Sequence, residues 1–281
     1  MNEFTQKVRK AKELLTAAEA ILVGAGAGLT ASAGIDYGGK EFRASFADYI
    51  AKYKFTDLYS SGFYPFATDA ERWAYWARHV NFVRLAPPAL PLYLELRELI
   101  AGKSFFVLTT NVDGQFFKAG FEPDRVMAFQ GDYAQMQCAR ACHDMVYDNT
   151  HAVGEILAHS RDLTVAEEFV PRCPVCKGPM EMHLRKDDFF IEDQAWHDAW
   201  KRYRSFVARY AAGKLGLLEI GVGFNTPGII RYPFERMALA NPKAALIRIN
   251  SEEAWLPPKL AYRSVGFQED ASKVISALLA P

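Results

Sequence analysis

Ser104-Phe105-Phe106-Val107-Leu108-Thr109-Thr110-Asn111-Val112-Asp113-Gly114 changes character halfway along. Its first half is an apolar run of strand length, and its second half is polar and ends in glycine. This pattern is a short buried strand that delivers side chains at its C-terminal end, where open α/β sheets bind ligands. Arg125-Val126-Met127-Ala128 followed by Phe129-Gln130-Gly131 repeats it. Asn111, Asp113 and Gln130 are therefore candidates for one site. Asn111 and Asp113 would also suit the cap of a helix beginning near Gly114, and Gln130 a satisfied amide at a turn.

Upstream, Phe4, Val8, Ala11, Leu14, Leu15 and Ala18 recur at helical spacing, and Ala20-Ile21-Leu22-Val23 reads as a buried strand. It runs into Gly24-Ala25-Gly26-Ala27-Gly28-Leu29-Thr30-Ala31-Ser32-Ala33-Gly34-Ile35. A strand, a glycine-rich turn and a small-residue helix start let backbone N–H groups approach a diphosphate. The same residues also suit a tight strand-to-helix turn packed closely. A dehydrogenase fingerprint would want an acidic residue closing a second strand; Asp48 instead lies in an aromatic, helix-like stretch. Trp73, Trp76, His79 and Phe82 recur at helical spacing, a stripe expected in a core. Further strands are expected at 215–220 and 245–249, with helices over 89–101, 115–119, 227–240 and 269–280 and a long one ending at Gly213. This alternation predicts a doubly wound parallel sheet of Rossmann type. The expected partition is a Rossmann-like domain from 1–35, 86–132 and 194–281. A smaller discontinuous domain would take 36–85, a helical module, and 133–193, whose stretch around Asp148-Asn149-Thr150-His151 reads as an irregular connection.

Of 281 residues, 50% are hydrophobic, and 33 Lys+Arg balance 33 Asp+Glu. That composition excludes a disordered chain and points to neither nucleic acid nor an anionic membrane as partner. The start Met1-Asn2-Glu3-Phe4-Thr5-Gln6-Lys7 lacks the apolar core of a secretion signal, and no apolar run approaches the ~18 residues of a membrane span. The expectation is a cytoplasmic protein. In a reducing compartment the close pairs Cys138/Cys142 and Cys173/Cys176 read as a four-thiolate zinc site rather than two disulfides. His143 is a conceivable substitute, but adjacent residues rarely both ligate.

Together these stretches resemble the sirtuins, the NAD-dependent deacylases and ADP-ribosyltransferases. Gly26 to Ile35 is similar to the sirtuin GAG-I-S-x-S-x-GI motif, and Thr109 to Gly114 to TQNVDG. Phe129-Gln130-Gly131 falls where the family has its His-Gly. The cysteine pairs fall at its zinc module, with Leu184-Arg185 after the second. Gly221-Val222-Gly223 and Ile249-Asn250 fall at its GTS and IN motifs. The resemblance implies NAD as co-substrate, held by Gly26, Ala27, Gly28, Thr30, Ile35, Asn111, Asp113, Gln130, Gly221, Val222, Gly223 and Asn250, and a structural zinc. It implies catalytic roles for Asn111, Asp113 and Gln130. Arg185 would face substrate or diphosphate, or remain a surface charge, and Asn250 is equally suited to close a strand as a turn residue.

The departures point to the reaction. The catalytic histidine is Gln130, and the family's Pro-Asp-Phe-Arg is replaced by Asp36-Tyr37-Gly38-Gly39-Lys40-Glu41-Phe42-Arg43, in which Phe42 and Arg43 are expected to stand in for its Phe-Arg. Thr110 replaces a glutamine, and three residues separate the first cysteine pair where the family has two. This combination resembles the microbial class M sirtuins, associated with macrodomain ADP-ribosyl hydrolases. That implies mono-ADP-ribosylation of a lipoylated carrier related to the glycine-cleavage H protein. Deacylation needs a base at a ribose hydroxyl; imidazole serves at neutral pH, and a carboxamide does not. Glycosidic cleavage of NAD needs mainly orientation and electrostatic stabilisation, which Gln130, Asn111 and Asp113 can supply. A weak deacylase and a catalytically silent NAD or ADP-ribose sensor are the other readings.

Overall fold

The computed structural model describes residues 2–281; Met1, with which the expected N-terminal domain range begins, lies outside them. The strands are β1 (Ala20–Ala25), β2 (Ser104–Thr109), β3 (Val126–Ala128), β4 (Gly131–Cys138), β5 (Val146–Asp148), β6 (Met180–Leu184), β7 (Leu215–Ile220), β8 (Ala245–Ile249) and β9 (Val265–Phe267). Six of them form one parallel sheet in the order β3-β2-β1-β7-β8-β9. All residues of β1 and β7 are buried, as near-continuous apolar runs require when helices cover both faces; the charged exception, Glu219, is paired with Arg248. One face packs on Val8, Leu15, Leu96, Phe116 and Ile275, the other on Tyr203, Phe234 and Leu260.

Pairing register places the strand ends in a single row. Ala128 is opposite Thr109, Thr109 opposite Ala25, Ala25 opposite Ile220, Ile220 opposite Ile249, and Ile249 opposite Phe267. Every loop that follows this row opens on the same edge. The order runs outward in both directions from β1 and β7, so the loops after those two strands meet at the point where the winding changes direction.

The second sheet, β5-β4-β6, is antiparallel and lies almost wholly within 133–193, a segment in which no strand was expected. The stretch read as a connection also starts a helix, Thr150–His159. Asn149 ahead of it is fully buried and spends its Nδ2 on the Tyr133 carbonyl, at 2.8 Å, rather than on a cap. The insertion is helical as expected, with helices Lys40–Ser45, Ala47–Tyr53, Leu58–Ser61 and Asp69–Val80 and a π turn, Asn81–Leu85. Phe42, Trp73, Trp76 and Tyr133, Val153 and Met180 belong to one core, so the insertion and the cysteine-bearing segment fold together. The aromatic stripe is core as read: Trp73 and His79 are fully buried. Burial lowers His79 to about 3, keeping it neutral, while its Nδ1 meets the Tyr75 hydroxyl at 3.0 Å. Strand β9 was not foreseen: three residues around Gly266 are too short to register as an apolar run, and they become a strand only by pairing with β8. No helix of the described residues is long and apolar enough to cross a membrane.

Candidate active site

Asn111 and Asp113 follow the end of β2 and are both buried. Thr109 pins their loop: its hydroxyl donates to the Ala25 carbonyl at 3.1 Å and accepts from the Asn111 N–H at 3.0 Å. Asn111 Nδ2 donates to the Gly26 carbonyl at 3.0 Å, tying the loop after β2 to the glycine turn after β1. Asp113 Oδ2 accepts from the Thr30 hydroxyl at 2.5 Å, and Oδ1 from the Gln115 N–H at 2.9 Å. The aspartate therefore holds the first N–H of the helix Gln115–Lys118 and binds Thr30 at once. Burial pushes its carboxyl above the usual carboxylate range, partly offset by the hydrogen bonds from Thr30 and Gln115. Gly114 turns left-handed at φ +66°, and a Cβ there would lie 2.2 Å from Cζ of Arg84, which pairs with Asp132 at 2.7 Å.

The glycine turn is shaped by another backbone. Gly28 N–H donates to the Gly221 carbonyl at 3.0 Å, and a Cβ on Gly28 would stand 2.7 Å from the Gly221 Cα. Gly26, Gly28, Gly221 and Val222 thus meet in the crevice after β1 and β7. Asn250 joins them: its Nδ2 donates to the Val222 carbonyl at 3.0 Å. Ala27 and Gly223 are exposed at the mouth of this crevice, and Ile35 is buried with its N–H on the Thr30 carbonyl at 3.1 Å.

Gln130 is half-buried, two residues beyond the end of β3. Its carbonyl accepts from the Arg185 N–H at 3.0 Å. Gly131 follows at φ +96°, where a Cβ would overlap the His183 carbonyl oxygen at 2.0 Å. Arg185 lies among the rings of Phe190, Phe129 and Trp196, at 4.2, 4.9 and 5.1 Å, and pairs with Glu192 at 2.7 Å. Phe42 is fully buried against Phe46, with centroids 5.4 Å apart, and Arg43 is exposed on the helix Lys40–Ser45. Phe42 shares its core with Ile35 and with Val112, which lies between Asn111 and Asp113.

Several residues join the site without having been singled out in the sequence. Tyr93 is fully buried, and its hydroxyl lies 3.0 Å from Thr30 Oγ1, 3.4 Å from Asp113 Oδ2 and 3.4 Å from Asn111 Nδ2. On the helix Pro91–Leu99 its spacing marks only an inward position. Tyr37 lies near Tyr133 and Asp113, and burial followed by their charges raises its phenol well above the ordinary value. An open cleft of about 460 Å³ lined by Asp48, Tyr49, Arg78 and Arg161 lies elsewhere; it holds none of the expected site residues, and Arg78 there is already paired with Asp48 at 2.6 Å.

The four cysteine sulfurs lie within 4.8 Å of one another, with Cys138–Cys176 at 3.6 Å and Cys142–Cys173 at 3.7 Å. A zinc–thiolate tetrahedron with bonds of about 2.3 Å has edges of roughly 3.8 Å, so the donor set fits a structural zinc. His143 is outside that set: its Nδ1 is 3.0 Å from Cys142 Sγ and its Nε2 2.7 Å from the Tyr147 hydroxyl.

No family model matches the chain. Over 280 residues it is 33% identical to a protein ADP-ribosyltransferase of Staphylococcus aureus strain Mu50, covering 99% of this chain and 89% of that one. It is also 33% identical, over 260 residues, to a Fusarium oxysporum f. sp. cubense protein named probable bifunctional ADP-ribose hydrolase/ADP-ribosyltransferase, covering 88% of this chain but 43% of the relative. Among solved structures, a sirtuin complex of Sir2 with a p53 peptide and NAD+ has the same fold, with a TM-score of 0.55 at 16% identity over 95% of each chain.

Proposed function

The chain belongs to the sirtuin-type protein ADP-ribosyltransferases, and we propose that it transfers ADP-ribose from NAD to a lipoylated carrier protein of the glycine-cleavage-H type, releasing nicotinamide. The single observation that carries the reaction type, beside the Staphylococcus aureus relative, is Gln130 at the edge where Asn111 and Asp113 converge. A carboxamide orients hydroxyls but does not exchange protons at neutral pH.

Sir2 with NAD+ has this chain's fold, which supports NAD as the donor. The turns at Gly26–Gly28 and Gly221–Gly223, with Asn250, are the proposed cradle of its adenosine and diphosphate side. Asn111, Asp113, Thr30 and Ile35 would hold the nicotinamide side. In the reaction the bond between ribose C1′ and the pyridine nitrogen breaks and its electron pair leaves with nicotinamide. An oxygen of the acceptor then bonds to C1′. An acceptor carboxylate is already ionised and requires no base, which suits Gln130. Asn111 and Gln130 would orient the ribose, and the preorganised polar groups would stabilise its developing positive charge.

The hydrolase named together with a transferase in the Fusarium oxysporum f. sp. cubense relative favours a macrodomain ADP-ribosyl hydrolase as functional counterpart, removing what this enzyme adds. The four unbridged cysteines favour a reducing, cytoplasmic setting. Arg185, beside Gln130, is the proposed contact to the acceptor.

Incubation with labelled NAD and a lipoylated carrier is expected to label the carrier, and Asn111→Ala to abolish the label. An unlabelled carrier alongside brisk deacylation of an acyl-lysine peptide would overturn the proposal.

A further inference from the structure

Arg231 opens the helix Arg231–Ala240 and is fully buried. Its Nη1 donates to the Val222 carbonyl at 3.1 Å and its Nη2 to the Glu253 carbonyl at 2.9 Å. Asn250 closes the circuit. Its Nδ2 donates to the same Val222 carbonyl at 3.0 Å, and its Oδ1 accepts from the Glu253 N–H at 3.0 Å. The turn after β7 and the turn after β8 are thereby locked together. A planar guanidinium reaches two carbonyls in fixed directions, which a single ammonium cannot do.

The charge is balanced inside the protein. Glu219, also fully buried, lies 3.9 Å from Arg231 Nη1 and pairs with Arg248 through both oxygens at 2.7 and 2.9 Å. Arg248 also reaches Glu235 at 2.8 Å, so two carboxylates face two guanidiniums. The exposed rings of Phe224 and Trp255 lie over Arg231 at 4.3 and 5.6 Å, while its Nε has no partner. Burying ionised groups stabilises a fold less well than apolar packing of the same volume. What this network supplies instead is a rigid spacing between two turns.

We propose that Arg231 is a positioning residue for cofactor binding: it holds the Gly221–Gly223 and Asn250–Glu253 turns at the separation that receives the adenosine side of NAD. The inference rests on the NAD reading given above and adds to it a side chain from beneath the cradle. Because it bonds to the turns after β7 and β8 and to neither Asn111 nor Gln130, it governs affinity and leaves the chemical step alone.

Two variants test it with the folded state kept in view. Arg231→Lys retains the charge but loses the two-carbonyl fork, and Arg231→Met combined with Glu235→Gln keeps the buried charge sum at zero. For each, ADP-ribose affinity is measured by calorimetry, alongside steady-state kinetics and circular dichroism. The expected result is a rise of about tenfold or more in the ADP-ribose Kd and in KM for NAD, with kcat and nicotinamide inhibition within roughly twofold. Wild-type ADP-ribose affinity in either folded variant overturns the proposal, as does a fall in kcat at unchanged Kd. Failure of the wild-type protein itself to bind ADP-ribose overturns the NAD reading and this inference with it.

Discussion

Thr30 Oγ1 donates to Asp113 Oδ2 across 2.5 Å, joining the helix after β1 to the loop after β2. The contact makes the glycine turn and the Asn111–Asp113 loop one rigid unit, with the carboxylate fully buried between them.

Tyr93 is the hub of that unit, its hydroxyl within reach of Thr30, Asp113 and Asn111. Tyr93→Phe keeps the packing and deletes the hub. The expected cost is about 1–2 kcal/mol of stability in urea unfolding, and a drop of roughly tenfold in nicotinamide release with the carrier.

Asp113 gives a pH signature. Its folded pKa is raised above the ordinary 3.8 by burial, so its neutral form is the one the fold favours. The stability it contributes is fully present below its ordinary pKa and is lost as pH rises through the raised one. Asp113→Asn, neutral at every pH, should therefore gain thermal stability relative to the wild type as pH rises across that window. It should also lose activity. A Tm difference that does not change with pH would contradict this.

Gly221 and Gly223 should respond unequally to alanine. Gly221 has φ +62°, and a Cβ there would be 2.2 Å from the Leu29 nitrogen, whereas Gly223 has nothing within 4 Å. Gly221→Ala is expected to cost about 3 kcal/mol or more from left-handed strain and overlap. Gly223→Ala should stay within about 0.5 kcal/mol. Chemical denaturation of the two variants decides it.

Metal analysis should find one zinc for the Cys138, Cys142, Cys173 and Cys176 cluster. Cys173→Ser or a strong chelator should remove it and loosen the small sheet, at a cost of several kcal/mol. His143→Ala should retain the metal, because the imidazole lies outside the four sulfurs. Loss of zinc from that variant would assign His143 as a ligand.

Much of the site was legible because its residues follow apolar runs. Asn111, Asp113, Gln130, Gly221 and Asn250 each stand one to four residues past a strand that burial periodicity reveals, and the cysteine pairs announce themselves by spacing. Tyr93, Arg84 and Arg231 carried no such signal. On their helices they read as inward or charged positions, and their partners lie far away in the chain: Asp113, Asp132 and the Glu253 carbonyl. The small sheet and β9 were equally hidden, since their short strands acquire hydrogen-bond partners only on assembly.

What the sequence by itself determined is local: which runs are buried strands, where polar residues follow them, and which residue replaces histidine. The tertiary structure alone decided that Ala128, Thr109, Ala25, Ile220, Ile249 and Phe267 end in one row, bringing the loops beyond them to one edge. It likewise placed Phe42 in an aromatic core and Arg231 beneath two turns. The physical reason is that burial and turn preferences act between near neighbours. Register and buried charge pairing depend on which distant segments the packed helices bring together.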